Sequence, residues 1–105
     1  MWKGWSSMKK MYHATTYNNL LSVVENGLRP GCDGLVYLTE NEDDAVKFLL
    51  VRGIKDIVTF EVSIDKNDKV VETFDHSYQF FKCRCFGKVG NIPANKVKPS
   101  KRYQF

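Results

Sequence analysis

His13 is the first residue of this chain whose type and setting could do chemistry. It stands where the apolar pair Met11-Tyr12 gives way to the polar turn Ala14-Thr15-Thr16-Tyr17-Asn18-Asn19. An imidazole changes charge near neutral pH and can both donate and accept a hydrogen bond, so at a strand end it is either a working group or a half-buried structural one. Tyr37, in the apolar run Leu35 to Leu38, offers a ring that is either core or a stacking surface. Asp75-His76 follows one strand-like segment and precedes the last one, and it supplies a carboxylate. Cys83-Arg84-Cys85 lies nearby, but a one-residue gap is not the spacing of zinc knuckles, and on a strand both thiols would face the same buried side. No metal site is expected. With Cys32 the cysteines number three, an odd count without a secretory framework, which suits free thiols in a reducing cytoplasm.

Two strand-turn-helix units position the first candidates. Strand one is expected over Met11 to His13 or Ala14, and the first helix over about Thr16 to Asn26. Thr15 or Thr16 would cap the helix, Leu20, Leu21, Val24 and Leu28 recur at helical spacing, and Gly27 provides the stop. The loop Arg29-Pro30-Gly31-Cys32-Asp33-Gly34 leads to a second strand, Leu35 to Leu38. Thr39-Glu40-Asn41-Glu42 has the spacing of a capping box, Asp43 and Asp44 add charge in the first turn, and the second helix runs through Ala45, Phe48 and Leu49 to Arg52-Gly53. Ile57 to Ile64 alternates as a strand, with Val58, Phe60, Val62 and Ile64 on one side and Thr59, Glu61 and Ser63 on the other. Asp65 to Asp68 is a turn, Val70 to Phe74 a short strand or loop, Phe80 to Val89 a further strand, and Ile92 to Val97 a closing turn. The sum is an α+β domain whose sheets pack around a cleft.

A chain of 105 residues is expected to form one domain with one core, here residues 11–105, preceded by an N-terminal extension, residues 1–10. Met8 is an alternative start to Met1. The net charge of +4 is a mild bias towards anionic partners and establishes none of them. Its basic residues gather at the ends, at Lys3, Lys9 and Lys10 and at Lys96, Lys98, Lys101 and Arg102, and read as solvated faces or tails. No apolar run approaches a membrane span and no signal-like segment opens the chain, so a cytoplasmic protein without membrane contact is expected.

His13-Ala14-Thr15, the helix stop Gly27-Leu28, the strand Gly34-Leu35-Val36-Tyr37-Leu38-Thr39 and the following helix with Ala45 and Phe48 together resemble the front half of ADP-ribosyltransferases of the histidine, tyrosine and glutamate type. The likeness covers roughly residues 11–52, with an echo at Gly90-Asn91-Ile92-Pro93, and extends more distantly to RNA 2′-phosphotransferases and related toxins. It implies a split β-sheet core with two N-terminal helices around an NAD cleft, and NAD as a substrate whose nicotinamide is replaced by an acceptor nucleophile. His13 and Thr15 would hold ribose hydroxyls, with Ala14 between them, Tyr37 would stack on nicotinamide, and Phe48 would be a second aromatic. Arg29 and Arg52 are either pyrophosphate partners or, as their settings favour, solvated or helix-capping cations. The signature glutamate would fall near Arg84, Cys85 or Phe86, where no carboxylate occurs. Asp75 is the preferred substitute, with Glu72 and Glu61 as alternatives.

Three functions follow from the resemblance. The first is mono-ADP-ribosyl transfer to a macromolecular target, protein or nucleic acid, in a chain small enough for a toxin-like phage or mobile-element effector such as an anti-CRISPR protein. The second is a catalytically silent module of the same fold that binds a nucleotide or a partner protein. The third is a relative of RNA 2′-phosphotransferases in which His13 and arginines such as Arg84 grip a phosphate.

Overall fold

The computed structural model describes residues 9–31, 34–65, 67–73 and 85–105. Within them six strands and two α-helices follow in order: β1 (Lys9–Thr16), a 3-10 turn (Tyr17–Asn19), α1 (Leu20–Asn26), β2 (Leu35–Thr39), α2 (Glu42–Leu50), β3 (Asp56–Ile64), β4 (Val70–Thr73), β5 (Cys85–Val89), a second 3-10 turn (Ala94–Lys96) and β6 (Val97–Gln104). The strands form one sheet in the order β4-β5-β2-β1-β3-β6, and the pairings are antiparallel. The expected α+β class is observed, but as one sheet of six strands with no second sheet among the described residues.

That sheet has a seam. β1 is registered with β3 along its whole length, from Lys9↔Ile64 to Thr16↔Ile57, and β2 with β5 from Leu35↔Val89 to Thr39↔Cys85. Between β1 and β2 the only registered rung is Tyr12↔Thr39. Two three-stranded halves, β1-β3-β6 and β4-β5-β2, therefore meet at a point.

The two helices cover opposite faces, because successive side chains of β3 alternate. Val58, Phe60, Val62 and Ile64 join Met11, Leu38, Phe86, Val23 and Leu28 in the larger core, on the α1 side. Ile57 faces the other way and packs with Val46 and Leu49 of α2, with Ala14 and Tyr103 beside them. The alternation in β3 would leave Thr59 on a wet face, yet it is fully buried under α2. Its hydroxyl donates to Glu42 Oε2 at 2.5 Å and accepts from Lys101 N at 3.1 Å, so no polar atom is left unpaired.

Several local expectations are corrected. The first helix begins at Leu20 and not Thr16, because Thr16 is the last rung of the β1–β3 ladder, and neither threonine caps the helix. The capping box does not form: Thr39 is buried at the end of β2 and donates to Asn41 O at 2.7 Å, while the Glu42 carboxylate turns to Thr59. β1 begins two residues early, at Lys9. Of the two readings of the basic C-terminal run, the solvated face holds and the tail does not: Lys98, Lys101 and Arg102 lie exposed on the edge strand β6, where they and Pro99 suit an edge that must not recruit further strands. Of the expected strand Phe80 to Val89, residues 80–84 lie outside the described residues, as does Phe74.

Gly27 is fixed twice over. Its φ of 78° is in the region that favours glycine, and a Cβ there would lie 2.1 Å from Ile92 O. The close approach lets Leu28 and Ile92 exchange two hydrogen bonds, Leu28 N to Ile92 O and Ile92 N to Leu28 O, each 2.9 Å. The Gly27-Leu28 helix stop and the Gly90-Asn91-Ile92-Pro93 turn, with Leu28 and Ile92 64 residues apart in sequence, are thus one contact.

Candidate functional site

Beyond the Tyr12↔Thr39 rung, β1 and β2 separate, and the His13 side chain spans the gap. Its Nδ1 lies 2.8 Å from the backbone oxygen of Tyr37. A carbonyl oxygen only accepts, so Nδ1 carries the proton. Burial lowers the His13 pKa below its ordinary 6.5, and the bond to the Tyr37 carbonyl opposes that shift without cancelling it. At neutral pH the ring is uncharged, and Nε2 is a lone-pair acceptor.

Thr15 lies on the same face of β1, two residues on, registered with Val58 as His13 is with Phe60. Asn19 Nδ2 donates to Thr15 Oγ1 at 2.9 Å, which leaves the threonine proton to be given elsewhere. The strand thus presents an acceptor and a donor side by side, suited to a ligand with neighbouring hydroxyl groups. Asn19 was not anticipated from sequence; its signal is the spacing of four from Thr15 across a tight turn.

The other expected residues divide. Tyr37 is 41% exposed, and its main chain touches His13, but its ring leaves β2 on the side opposite the buried Val36 and Leu38 and so, like Ala14, does not share the face of His13 and Thr15. Ala14 points to the α2 side, against the smaller core, so its side chain does not share the His13 face. Phe48 is half-buried on α2, and Arg29 and Arg52 are exposed. Among the alternative carboxylates, Glu61 is registered with Tyr12, away from the His13 face, and lies 3.6 Å from Lys10 Nζ. Glu72 is registered with Phe86, which is registered with Leu38, and so stands two strands out from β2. Asp75, with His76 and Arg84, lies outside the described residues.

A polar cluster that the sequence did not reveal lies under α2. Glu42 Oε2 accepts from Thr59 Oγ1 at 2.5 Å and from Ser100 Oγ at 3.2 Å, with the Tyr103 hydroxyl near the carboxylate. Burial raises the Tyr103 pKa, and the charge of Glu42, its hydrogen bond and the charge of Asp43 add to the rise. The cluster ties α2 to β3 and β6, since its donors come from those strands. Among the described residues no three His, Cys, Asp or Glu gather closely enough to hold a metal ion, and no helix is long and apolar enough to cross a membrane.

Fold and site together define a small α+β protein with a half-open antiparallel sheet and a histidine-bridged seam. Comparison with protein-family models, curated proteins and solved structures yields no match.

Proposed function

We propose that the protein is an NAD-dependent mono-ADP-ribosyltransferase with its site at the seam between β1 and β2. The observation that carries this reading is the His13 Nδ1–H bond to the Tyr37 carbonyl, because it leaves Nε2 as an acceptor for a hydroxyl. Thr15, free to donate, complements a second hydroxyl of the same ribose. The half-exposed Tyr37 ring offers a nicotinamide a stacking surface worth about 0.5–1.5 kcal/mol beyond area burial, on the sheet face opposite His13 and Thr15, so one NAD would have to pass through the opening beyond the Tyr12↔Thr39 rung to meet all three. The single rung between the two half-sheets is compatible with a split sheet around an NAD cleft.

In the reaction the bond from ribose C1′ to the nicotinamide nitrogen breaks, the nitrogen keeping the electron pair. The acceptor forms the new bond at C1′ and releases its proton to base or solvent. Charge develops on the ribose as the bond breaks, and a carboxylate near it lowers the barrier; Asp75 remains our choice for that role. We take the acceptor to be a cytoplasmic macromolecule, as would suit a phage or mobile-element effector. A neutral acceptor at Nε2 gives a phosphate oxygen no donor, which speaks against the 2′-phosphotransferase reading.

One observation favours a second reading. At the strand that would carry the glutamate, Phe86 is fully buried against the main core, and neither it nor Cys85 is acidic. A silent module that binds nucleotide at the same seam accommodates that. Incubation with NAD labelled in the adenine ring, alone and with cell lysate, separates the two: label transferred to an acceptor and lost in His13→Ala supports the enzyme. Saturable NAD binding without nicotinamide release supports the binding module, and absence of both overturns the site.

A further inference from the structure

Arg102, on the edge strand, is held more firmly than an exposed arginine needs to be. Its Nε and Nη2 donate to the two carboxylate oxygens of Asp56 at 3.0 and 2.9 Å, and its guanidinium carbon lies 3.6 Å from the centre of the Tyr17 ring. Paired donors fix the plane of the guanidinium as well as its place, and the ring fixes what it faces. Both members of the ion pair are more than a third exposed, so solvent screens their attraction and the pair adds little to overall stability. Its consequence is local.

The ladders show where that consequence falls. Thr15 is registered with Val58, and Val58 with Arg102, so the three stand in one row across the half-sheet. Tyr17 leaves β1 two residues after Thr15 and opens the turn Tyr17–Asn19, in which no residue is buried. Packing alone therefore holds this turn weakly; Tyr17 lies only in part against the main core, and Arg102 covers its ring. The same turn delivers Asn19, whose amide sets the Thr15 hydroxyl.

We propose that Arg102 is a positioning residue for the candidate site: by clamping Tyr17 it holds the turn whose Asn19 orients the Thr15 hydroxyl towards ligand. The clamp is independent of what binds; its effect on NAD rests on the reading given above.

The test compares Arg102→Ala, Arg102→Lys, Tyr17→Phe and Lys98→Ala, the last removing an exposed charge from the same strand. Two quantities are read beside thermal stability: the NMR signals and solvent exchange of the Asn19 side-chain amide, and the Kd for NAD. In Arg102→Ala the Asn19 signals are expected to move and exchange faster, with NAD bound about tenfold more weakly, the size of one lost neutral hydrogen bond at the ligand. Tyr17→Phe, which keeps the ring, should retain the wild-type signals, as should Lys98→Ala. Arg102→Lys keeps a cation over the ring without the paired donors and should fall between; it carries the test if the alanine variant fails to fold. Unmoved Asn19 signals in a folded Arg102 variant overturn the proposal, even if stability falls. If the wild-type protein does not bind NAD, the transferase reading fails while the Asn19 signals still decide the clamp.

Discussion

The half-sheet β1-β3-β6 and the half-sheet β4-β5-β2 are built from the same chain on different terms. In the first, β3 is central and covered on both faces, so that Ile57, Thr59 and Phe60 are all fully buried. In the second, the strands are shorter over the described residues, and the main core closes one face; Tyr37, Val71 and Val89 remain about 40% exposed on the other, where Tyr37 is registered with Gly87 and Gly87 with Val71. The covered half can serve as the anchor, and the open half as the surface that meets a ligand. His13 belongs to the anchor and touches the open half, which makes its hydrogen bond to Tyr37 a link across the seam.

Substitutions can break that comparison, and the largest effect is expected in the anchor. Phe60→Ala should cost about 3–5 kcal/mol in urea unfolding, through lost burial and a cavity. Tyr37→Ala, on the open half, should change stability far less while abolishing NAD binding; equal destabilisation by the two would erase the distinction between the halves. Gly27→Ala comes next. Its strained φ costs on the order of 1–3 kcal/mol, and the clash with Ile92 O adds to it by forcing the Leu28↔Ile92 bridge apart. A melting temperature unchanged by this variant would mean that the bridge is not needed to close the fold.

A smaller effect sharpens the role of the seam. His13→Ala should cost about 1 kcal/mol, the net worth of one hydrogen bond, but remove ligand binding. Its signature is the pH dependence. The folded pKa of His13 is below 6.5, so above the unfolded value neither state binds the proton and the group has no effect. As pH falls through the window below 6.5 the unfolded chain binds the proton first, and stability declines until the folded pKa is passed. That decline should be present in the wild type and missing in His13→Ala, and NAD affinity should weaken only at the lower end of the window and below it, as pH falls through the folded pKa and Nε2 is protonated. The smallest change is expected for Lys9→Met. The Lys9–Glu40 pair joins β1 to the end of β2 at 2.8 Å, yet it is partly solvated, and its loss should shift stability by no more than about 0.5 kcal/mol. A much larger loss would make it, and not His13, the main link across the seam.

The elements that were legible in the sequence are those with a local signal. β3 announced itself by alternation, and α2 by its acidic first turn and its apolar spacing, since both patterns repeat within a few residues. β6 was illegible because Val97 to Gln104 carries Pro99 and three cations, a composition that marks an edge strand only once β3 is there to pair with it. In the candidate site, His13, Thr15 and Tyr37 could be singled out by type and position. Asn19 carries only the spacing of four from Thr15, whereas Arg102 and the Glu42 cluster carry no local signal, because each acts through a partner supplied by the fold, and Arg102 and Asp56 are 46 residues apart.

What the sequence determined alone is the set of local elements and the kinds of side chain available to them: backbone preferences and hydrophobic period act over one or two turns. Only the tertiary structure decided that β1 and β2 meet at a single rung, that His13 fills the gap beyond it in one tautomer, and that Leu28 pairs with Ile92. Those outcomes depend on which strands and loops are brought side by side. Long-range pairing costs chain entropy that grows only slowly with separation, so nothing in the local sequence marks which distant partner will be chosen.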